Sequence, residues 1–212
     1  MAEYVLDTVV LQVMSFAAPD GITILLEGLA APNARFPAEV YNRDEATFPL
    51  GVPDSDLSEF ARGLRYAARQ VRGLPSSVAE RYQTWLSNAA QLTGHLEEGR
   101  LVVDPLTIEE LAQREDLVME YGIGRGEAAC LTLVERYRAV GIFLSSDEEA
   151  CTVARKLGLA YLTLPEVVEA WARQKQPARN RLENLISGMR AAKFGLKPDV
   201  LARLRDIVED SE

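Results

Sequence analysis

The chain has 212 residues, of which 48% are hydrophobic and 26% are charged, a balance typical of one globular domain. No apolar run approaches the roughly 18 residues needed to span a membrane. Glu3 and Asp7 stand where a secretory leader would carry basic residues. These features exclude the membrane and secreted classes, so we expect a soluble, cytoplasmic protein with no membrane partner.

The few cysteines and histidines limit the chemistry of any site. Cys130 and Cys151 lie in apolar segments, which predicts buried thiols in a reducing compartment. His95 is the only histidine, which argues against a Ser-His-Asp triad built elsewhere and against zinc, a metal bound mainly by Cys and His. Any metal must therefore be held by carboxylates, which favours a hard cation such as Mg²⁺ or Mn²⁺.

The net charge of −9 is unevenly distributed. Residues 173–205 contain nine Lys and Arg against two acids, a net charge of +7, which leaves −16 for the rest of the chain. The overall charge argues against strong nonspecific binding to nucleic acid. The basic segment could nevertheless hold phosphates, and we predict a basic C-terminal helical extension at residues 176–212.

The first half of the chain predicts mainly helices. Residues 4–6 predict a short strand, followed by Asp7 and a helix to residue 17. Residues 22–26 fit either a helix or a strand. Between 54 and 92, two apolar stripes at helical spacing, with a break at 73–77 that also caps the second helix, predict a helical hairpin. A further helix is predicted at about 107–119.

The last third alternates between helices and strands. We predict helices at 127–138, 146–158 and about 165–175, and strands at 140–144 and 159–162. Such alternation favours a parallel sheet with helices on both faces. The predicted fold is α/β, doubly wound, with a mainly parallel central sheet flanked by helices. Residues 1–175 form the predicted domain, with a helical insertion at about 54–120.

Three acids follow the predicted strands or open a helix. Asp7 and Asp147 each follow a strand, and Glu127 shares a helix face with apolar residues. Ligands of parallel sheets bind beyond the carboxyl ends of the strands, so these acids are expected to converge there. Two carboxylates about 4 Å apart repel by roughly 4 kcal/mol at an effective dielectric constant of about 20. A divalent cation would remove this repulsion and activate water.

Each acid also has a structural interpretation. Asp7 could be the N-cap of the helix that follows it, and Glu127 a first-turn acid stabilised by the helix dipole. Ser146 and Glu149 have the spacing of a capping box, with Ser146 as the cap.

Three segments resemble motifs of the PIN-domain family, in particular its VapC-like prokaryotic ribonucleases, and they follow one another in the family's order. They are the strand and helix around Asp7-Thr8, the Gly126-Glu127-Ala128 segment, and residues 144–159 around Asp147. The resemblance covers about residues 1–45 and 120–175. It implies an endoribonuclease whose Mg²⁺ or Mn²⁺ is held by Asp7, Glu127 and Asp147, and often the toxin of a toxin–antitoxin pair.

The chain departs from this family pattern at two places. Ser146 stands where many members have a further acid. After the Pro37–Val40 segment, Arg43 occupies the place expected for another acid. Asp44 is our prediction for the fourth metal-binding and catalytic carboxylate, with Glu45, or neither residue, as the alternatives.

Three functions are compatible with this pattern. The first is an active nuclease acting on RNA. The second is a degenerate PIN-like module that binds RNA or protein without turnover, and the third is another doubly wound domain, such as a response-regulator-like one, whose acids are only helix caps. An antitoxin protein and a second copy of the chain, forming a homodimer, are the candidate protein partners.

Four arginines of the predicted hairpin share one helix face. Arg62, Arg65, Arg69 and Arg72 fall within an arc of about 80° at 100° per residue. They could simply form a solvated face. Alternatively, since guanidinium groups bind phosphates and carboxylates bidentately, they form a surface for RNA or for an acidic partner.

Overall fold

The computed structural model describes residues 2–42 and 52–209. Within these ranges it contains five strands and eleven α-helices. The strands are β1 (Glu3–Leu6), β2 (Ala34–Phe36), β3 (Leu101–Val103), β4 (Gly141–Leu144) and β5 (Ala160–Leu162). The helices are α1 (Thr8–Ala17), α2 (Gly21–Gly28), α3 (Glu59–Gly73), α4 (Ser76–Ala89), α5 (Leu92–Glu97), α6 (Ile108–Tyr121), α7 (Arg125–Arg136), α8 (Glu148–Lys156), α9 (Leu164–Lys175), α10 (Arg179–Ala191) and α11 (Pro198–Glu209).

The five strands form one parallel sheet in the order β3-β2-β1-β4-β5. The apolar residues Val5, Leu6, Phe143 and Leu144 of the two central strands are fully buried. β1 and β4 pair along their whole length, up to Leu6 beside Leu144. The residues that follow these two strands therefore emerge side by side at the carboxyl edge of the sheet. The parallel α/β fold predicted from the sequence is confirmed.

The order of the strands reverses between β1 and β4. The chain winds outwards from β1 through β2 to β3, then crosses back to β4 and continues to β5. Right-handed crossovers place α1 to α5 on one face and α6 to α8 on the other. The packing agrees, because α1 contacts α2, α3 and α4, whereas α7 contacts β1, β4, α6 and α8. The crevice at such a reversal is where open α/β sheets bind ligands.

The hairpin of α3 and α4 is held to the body by aromatic side chains. Phe16 of α1 stacks on Trp85 of α4, with ring centroids 5.3 Å apart, and lies 5.7 Å from Phe60 of α3. All three rings are buried. The start of α3 is thereby fixed against α1, close to the carboxyl edge of the sheet.

Several predicted elements differ from the observed ones. Residues 22–26 form part of a helix, α2, one of the two alternatives predicted for them, whereas β2 and β3 were not predicted. β3 lies inside the range 54–120 that was assigned to a helical insertion. Ser146 is not a helix cap, since α8 begins after Asp147 and the Ser146 hydroxyl accepts a hydrogen bond from the Leu164 amide. Likewise, α4 begins at Ser76 after Pro75, without a side-chain cap.

The basic C-terminal segment is helical, as predicted, and packs on the body. α10 contacts α1, and α11 contacts α9. Several of its bases pair with acids of the body, including Arg181 with Asp20 and Arg203 with Glu169, each at 2.7 Å. In the described part of the chain, no helix has both the length and the apolar character required to cross a membrane.

Candidate functional site

Asp7 lies at the carboxyl end of β1 and is only 1% exposed. It is the N-cap of α1, and its Oδ1 accepts a hydrogen bond of 2.6 Å from the Thr8 amide. The pKa of Asp7 is raised to about 7, mainly because burial penalises its charged form. The nearby charges of Glu127 and Glu59 also raise this pKa, while hydrogen bonds from Ser145 and Thr8 oppose the shift.

Ser145 links the two acids that follow β1 and β4. It is fully buried, and its hydroxyl donates a hydrogen bond of 2.6 Å to Asp7 Oδ2. The same hydroxyl oxygen accepts a hydrogen bond of 3.1 Å from the Asp147 amide. Asp147 is the N-cap of α8, and its Oδ1 accepts a hydrogen bond of 2.9 Å from the Ala150 amide. Ser145 therefore fixes Asp7 relative to the start of α8, a role that the sequence analysis missed.

Glu127 also caps its own helix. Its Oε2 accepts a hydrogen bond of 2.8 Å from the Gly124 amide at the start of α7. Burial raises the pKa of Glu127, and the negative charges of Asp147, Glu59 and Glu149 contribute to the same shift. Glu127 is therefore an electrostatic neighbour of Asp7 and Asp147, as the sequence analysis predicted.

Glu59 is an acid of the site that the sequence analysis did not identify. It opens α3, and its Oε2 accepts a hydrogen bond of 2.6 Å from the Thr8 hydroxyl. Its carboxylate lies against Gly126, where an added Cβ would come within 2.8 Å of the Glu59 carboxyl group. The signal in the sequence was a Ser-Glu pair opening an apolar helix, which is also the pattern of an ordinary helix start.

The predicted fourth acid, Asp44, lies outside the described residues, as do Arg43 and Glu45. Within 2–42 and 52–209, no group of three or more Asp, Glu, His or Cys side chains is arranged so that it could hold a metal ion. The hydrogen bonds suggest a reason, since Glu127 and Asp147 each direct one oxygen to the amide of their own helix start.

Carboxylate chemistry nevertheless fits a hard divalent cation. The interactions that raise the pKa of Asp7 and of Glu127 are burial and the negative charges of neighbouring acids. A cation is the natural counter-charge for such a group of acids. The helix caps use one oxygen of Glu127 and one of Asp147, and a rotation of either side chain would be needed to bring them to a shared ion.

Both cysteines are buried and free, as predicted. The Cys130 thiol donates a hydrogen bond of 3.4 Å to the Leu6 carbonyl, and burial raises its pKa well above the ordinary value. Burial also raises the pKa of Cys151 to about 11. Both thiols are therefore protonated at neutral pH and are unsuited to act as nucleophiles or metal ligands.

The four hairpin arginines do not form one uniform surface. Arg65 and Arg69 both bind Asp54, at 2.8 and 3.0 Å, and Arg65 also donates to the Val52 carbonyl. Arg72 is exposed near the end of α3. Arg62 lies beside the acids, with its guanidinium 3.7 Å from Glu59 Oε1.

A cleft of about 330 Å³ adjoins the acids on the side of α3 and α7. Glu59 and Gly126 form part of its wall, so the cleft and the acidic site share a boundary. Its charged lining residues are Glu39, Glu59, Arg62, Arg114 and Arg125.

Comparison with protein-family models, curated proteins and solved structures finds no match to this chain.

Proposed function

We propose that this chain is a metal-dependent endoribonuclease of PIN type that uses Mg²⁺ or Mn²⁺. The observation that carries the proposal is Asp7, a buried carboxyl group at the strand-order reversal whose pKa is raised to about 7 beside Glu127 and Glu59. Burial and like charges both disfavour the charged form, so ionised Asp7 costs folding stability even though its oxygen caps α1. Strongly shifted groups of this kind are concentrated at functional sites.

The topology supports the same proposal. Asp7 follows β1 and Asp147 follows β4, on the two sides of the reversal, while Glu127 and Glu59 open helices from opposite faces of the sheet. Glu127 and Glu59 both raise the pKa of Asp7, and Asp147 and Glu59 raise the pKa of Glu127, which supports a shared site. This arrangement also agrees with the order of the motifs that resemble the PIN family.

The protein side chains have separate tasks in this proposal. A bound divalent cation would supply Lewis acidity and lower the pKa of a coordinated water. Asp7, Glu59, Glu127 and Asp147 would hold it. Ser145 orients Asp7 through its hydroxyl, and Thr8 orients Glu59. Since Asp7 must lose its proton to bind a cation, activity should rise as the pH passes about 7.

Glu59 is our candidate for the fourth carboxylate of the described site. It is held at Thr8, next to Asp7, and it contributes to the pKa shifts of both Asp7 and Glu127. Asp44 stays a prediction, as do an antitoxin protein and a homodimer. A toxin function within a toxin–antitoxin pair is part of the same proposal.

A second candidate is a PIN-like module that binds RNA or protein without cleaving it. The observation that favours it is the engagement of Asp7, Glu127 and Asp147 as helix caps. In that case the acids stabilise helix starts and their electrostatic proximity has no catalytic consequence.

Cleavage of a labelled, unstructured RNA at pH 8 distinguishes the two candidates. The nuclease proposal predicts cleavage with Mn²⁺ or Mg²⁺ but not with EDTA. Asp7→Asn and Glu59→Gln should each reduce the rate at least roughly 100-fold, at or beyond the upper range for outer-shell residues. Glu135→Gln, an exposed acid on α7 paired with Arg138, is the matched control and should cleave normally. Metal-independent cleavage, or equal rates in all variants, would contradict the proposal.

A further inference from the structure

The cleft between α3 and α7 contains three arginines with different roles. Arg114 is only 16% exposed and pairs with both Glu39 and Glu115. It therefore has a structural function, because removing it would take this partner from the partly buried Glu39 carboxylate and leave Glu115 with Arg125 alone. The side chains of Arg62 and Arg125 are 47% and 71% exposed.

The ion pairs of Arg62 and Arg125 are also longer than those of Arg114. Arg62 lies 3.7 Å from Glu59, and Arg125 lies 3.3 Å from Glu115, a carboxylate that Arg114 already shares. Exposed pairs of this kind contribute only about 0–1 kcal/mol each. Either guanidinium can therefore exchange its carboxylate for an incoming anion at little cost.

The position of the cleft determines which anion is relevant. The Glu59 carboxylate lies against Gly126, and both residues line the cleft. An anion held by Arg62 and Arg125 is therefore adjacent to Glu59, one of the proposed metal-binding acids. Phosphodiester groups are the anions that an RNA strand repeats along its length, and arginine binds them bidentately.

We infer that Arg62 and Arg125 form a subsite for an RNA phosphate next to the proposed catalytic acids. This inference rests on the proposed function and specifies how its substrate is held. The subsite uses one arginine from α3 and one from α7, instead of the four-arginine face of α3 that the sequence predicted. Arg65 and Arg69 are excluded from the subsite because neither lines the cleft and both bind Asp54.

The test is binding of a fluorescein-labelled 20-nucleotide oligouridine, measured by anisotropy in EDTA so that no metal-dependent cleavage occurs. The Arg62→Gln/Arg125→Gln double variant should lose roughly tenfold or more in affinity, the loss expected when two charge-assisted contacts disappear. Its slope of log affinity against log salt should flatten by about 0.7, the contribution of one single-strand phosphate contact.

Arg138→Gln is the matched control. Arg138 lies just beyond the other end of α7, and, like Arg125, it is exposed and paired with a glutamate. Its removal should leave both affinity and salt slope unchanged. Equal losses in the control and in the double variant, or no loss in the double variant, would overturn the subsite.

Two further outcomes separate the subsite from the nuclease proposal. RNA binding that depends on Arg62 and Arg125, in a protein that never cleaves, would support the subsite and contradict the nuclease. Metal-dependent cleavage, combined with an RNA affinity that does not change when both arginines are replaced, would support the nuclease and contradict the subsite. If polyglutamate of equal length binds as tightly as the oligouridine, the cleft is a site for acidic protein segments and the RNA assignment is wrong.

Discussion

Asp7 combines two roles that have different requirements. As an N-cap it needs only an acceptor oxygen, which an asparagine also provides. In its buried position beside Glu127 and Glu59, the charged form of Asp7 is destabilised, which raises its pKa to about 7. The two roles can therefore be separated by replacing Asp7 with Asn.

We predict that Asp7→Asn stabilises the metal-free protein at pH 8. Below about pH 4 Asp7 is protonated in both the folded and the unfolded states. Between about pH 4 and pH 7 the unfolded state ionises while the folded state retains the proton, so stability falls as the pH rises and is constant above pH 7. A shift of this size corresponds to about 4 kcal/mol at most.

The expected gain is smaller, roughly 1–3 kcal/mol, because asparagine has one acceptor oxygen for two donors, the Thr8 amide and the Ser145 hydroxyl. Chemical denaturation in EDTA at pH 8 and at pH 4 measures it, and the gain should vanish at pH 4. Asp147→Asn is the control, since Asp147 is also an N-cap but is only partly buried. A destabilised Asp7→Asn variant at pH 8 would contradict the electrostatic account of this residue.

The packing of α3 against α7 depends on a glycine. Gly126 stands in the first turn of α7, and the Glu59 carboxylate of α3 occupies the space where a side chain would lie. A methyl group there would meet the flexible end of Glu59 at 2.8 Å, so the carboxylate must move while the helices can stay in place. Gly126 thus determines the position of the proposed fourth acid.

We predict that Gly126→Ala weakens Mn²⁺ binding at least about tenfold, the range found when a metal site loses a supporting contact. Isothermal titration calorimetry at pH 8 measures this affinity. Gly124→Ala, two residues earlier, is the control, because its Cβ would meet Glu127 at an ordinary distance of 3.5 Å. Equal Mn²⁺ affinity in both variants would mean that Glu59 does not bind the metal.

The elements that the sequence predicted are those with long periodic apolar patterns. α3, α4 and α7 follow such patterns, and β1 and β4 are short apolar runs flanked by helices. β2 and β3 have three residues each, too few for a period-two pattern to stand out, so only their pairing with neighbouring strands identifies them. β5 is equally short, but it lies between two clear helical segments and was predicted for that reason.

The site was predictable only where an acid directly follows a strand or opens a helix of the late α/β units. Asp7, Glu127 and Asp147 satisfy that criterion. Glu59 does not, because its place beside Thr8 results from the packing of α3 on α1, which no local pattern encodes. Ser145 was missed for a similar reason, since its importance lies in a hydrogen bond to Asp7 across 138 positions of sequence.

The sequence suggested a basic C-terminal segment separate from an acidic body, but in the structure the two partly neutralise each other. The basic C-terminal helices neutralise acids of the body, with Arg203 bound to Glu169 and Arg181 bound to Asp20. These pairs are largely exposed and contribute little individually. Asp7 is different, because it is buried and its pKa is raised, mainly by that burial and further by the neighbouring acids.

The central claim is that these acids bind one divalent cation. A crystal soaked in Mn²⁺ at pH 8, where Asp7 is mainly ionised, tests it directly through the anomalous signal of manganese. We predict one peak about 2.1 Å from an oxygen of Asp7 and from oxygens of at least two of Glu59, Glu127 and Asp147. Glu127 or Asp147 should have rotated away from its cap amide. Manganese bound elsewhere in the same crystal, with no peak among these acids and both caps intact, would contradict the claim.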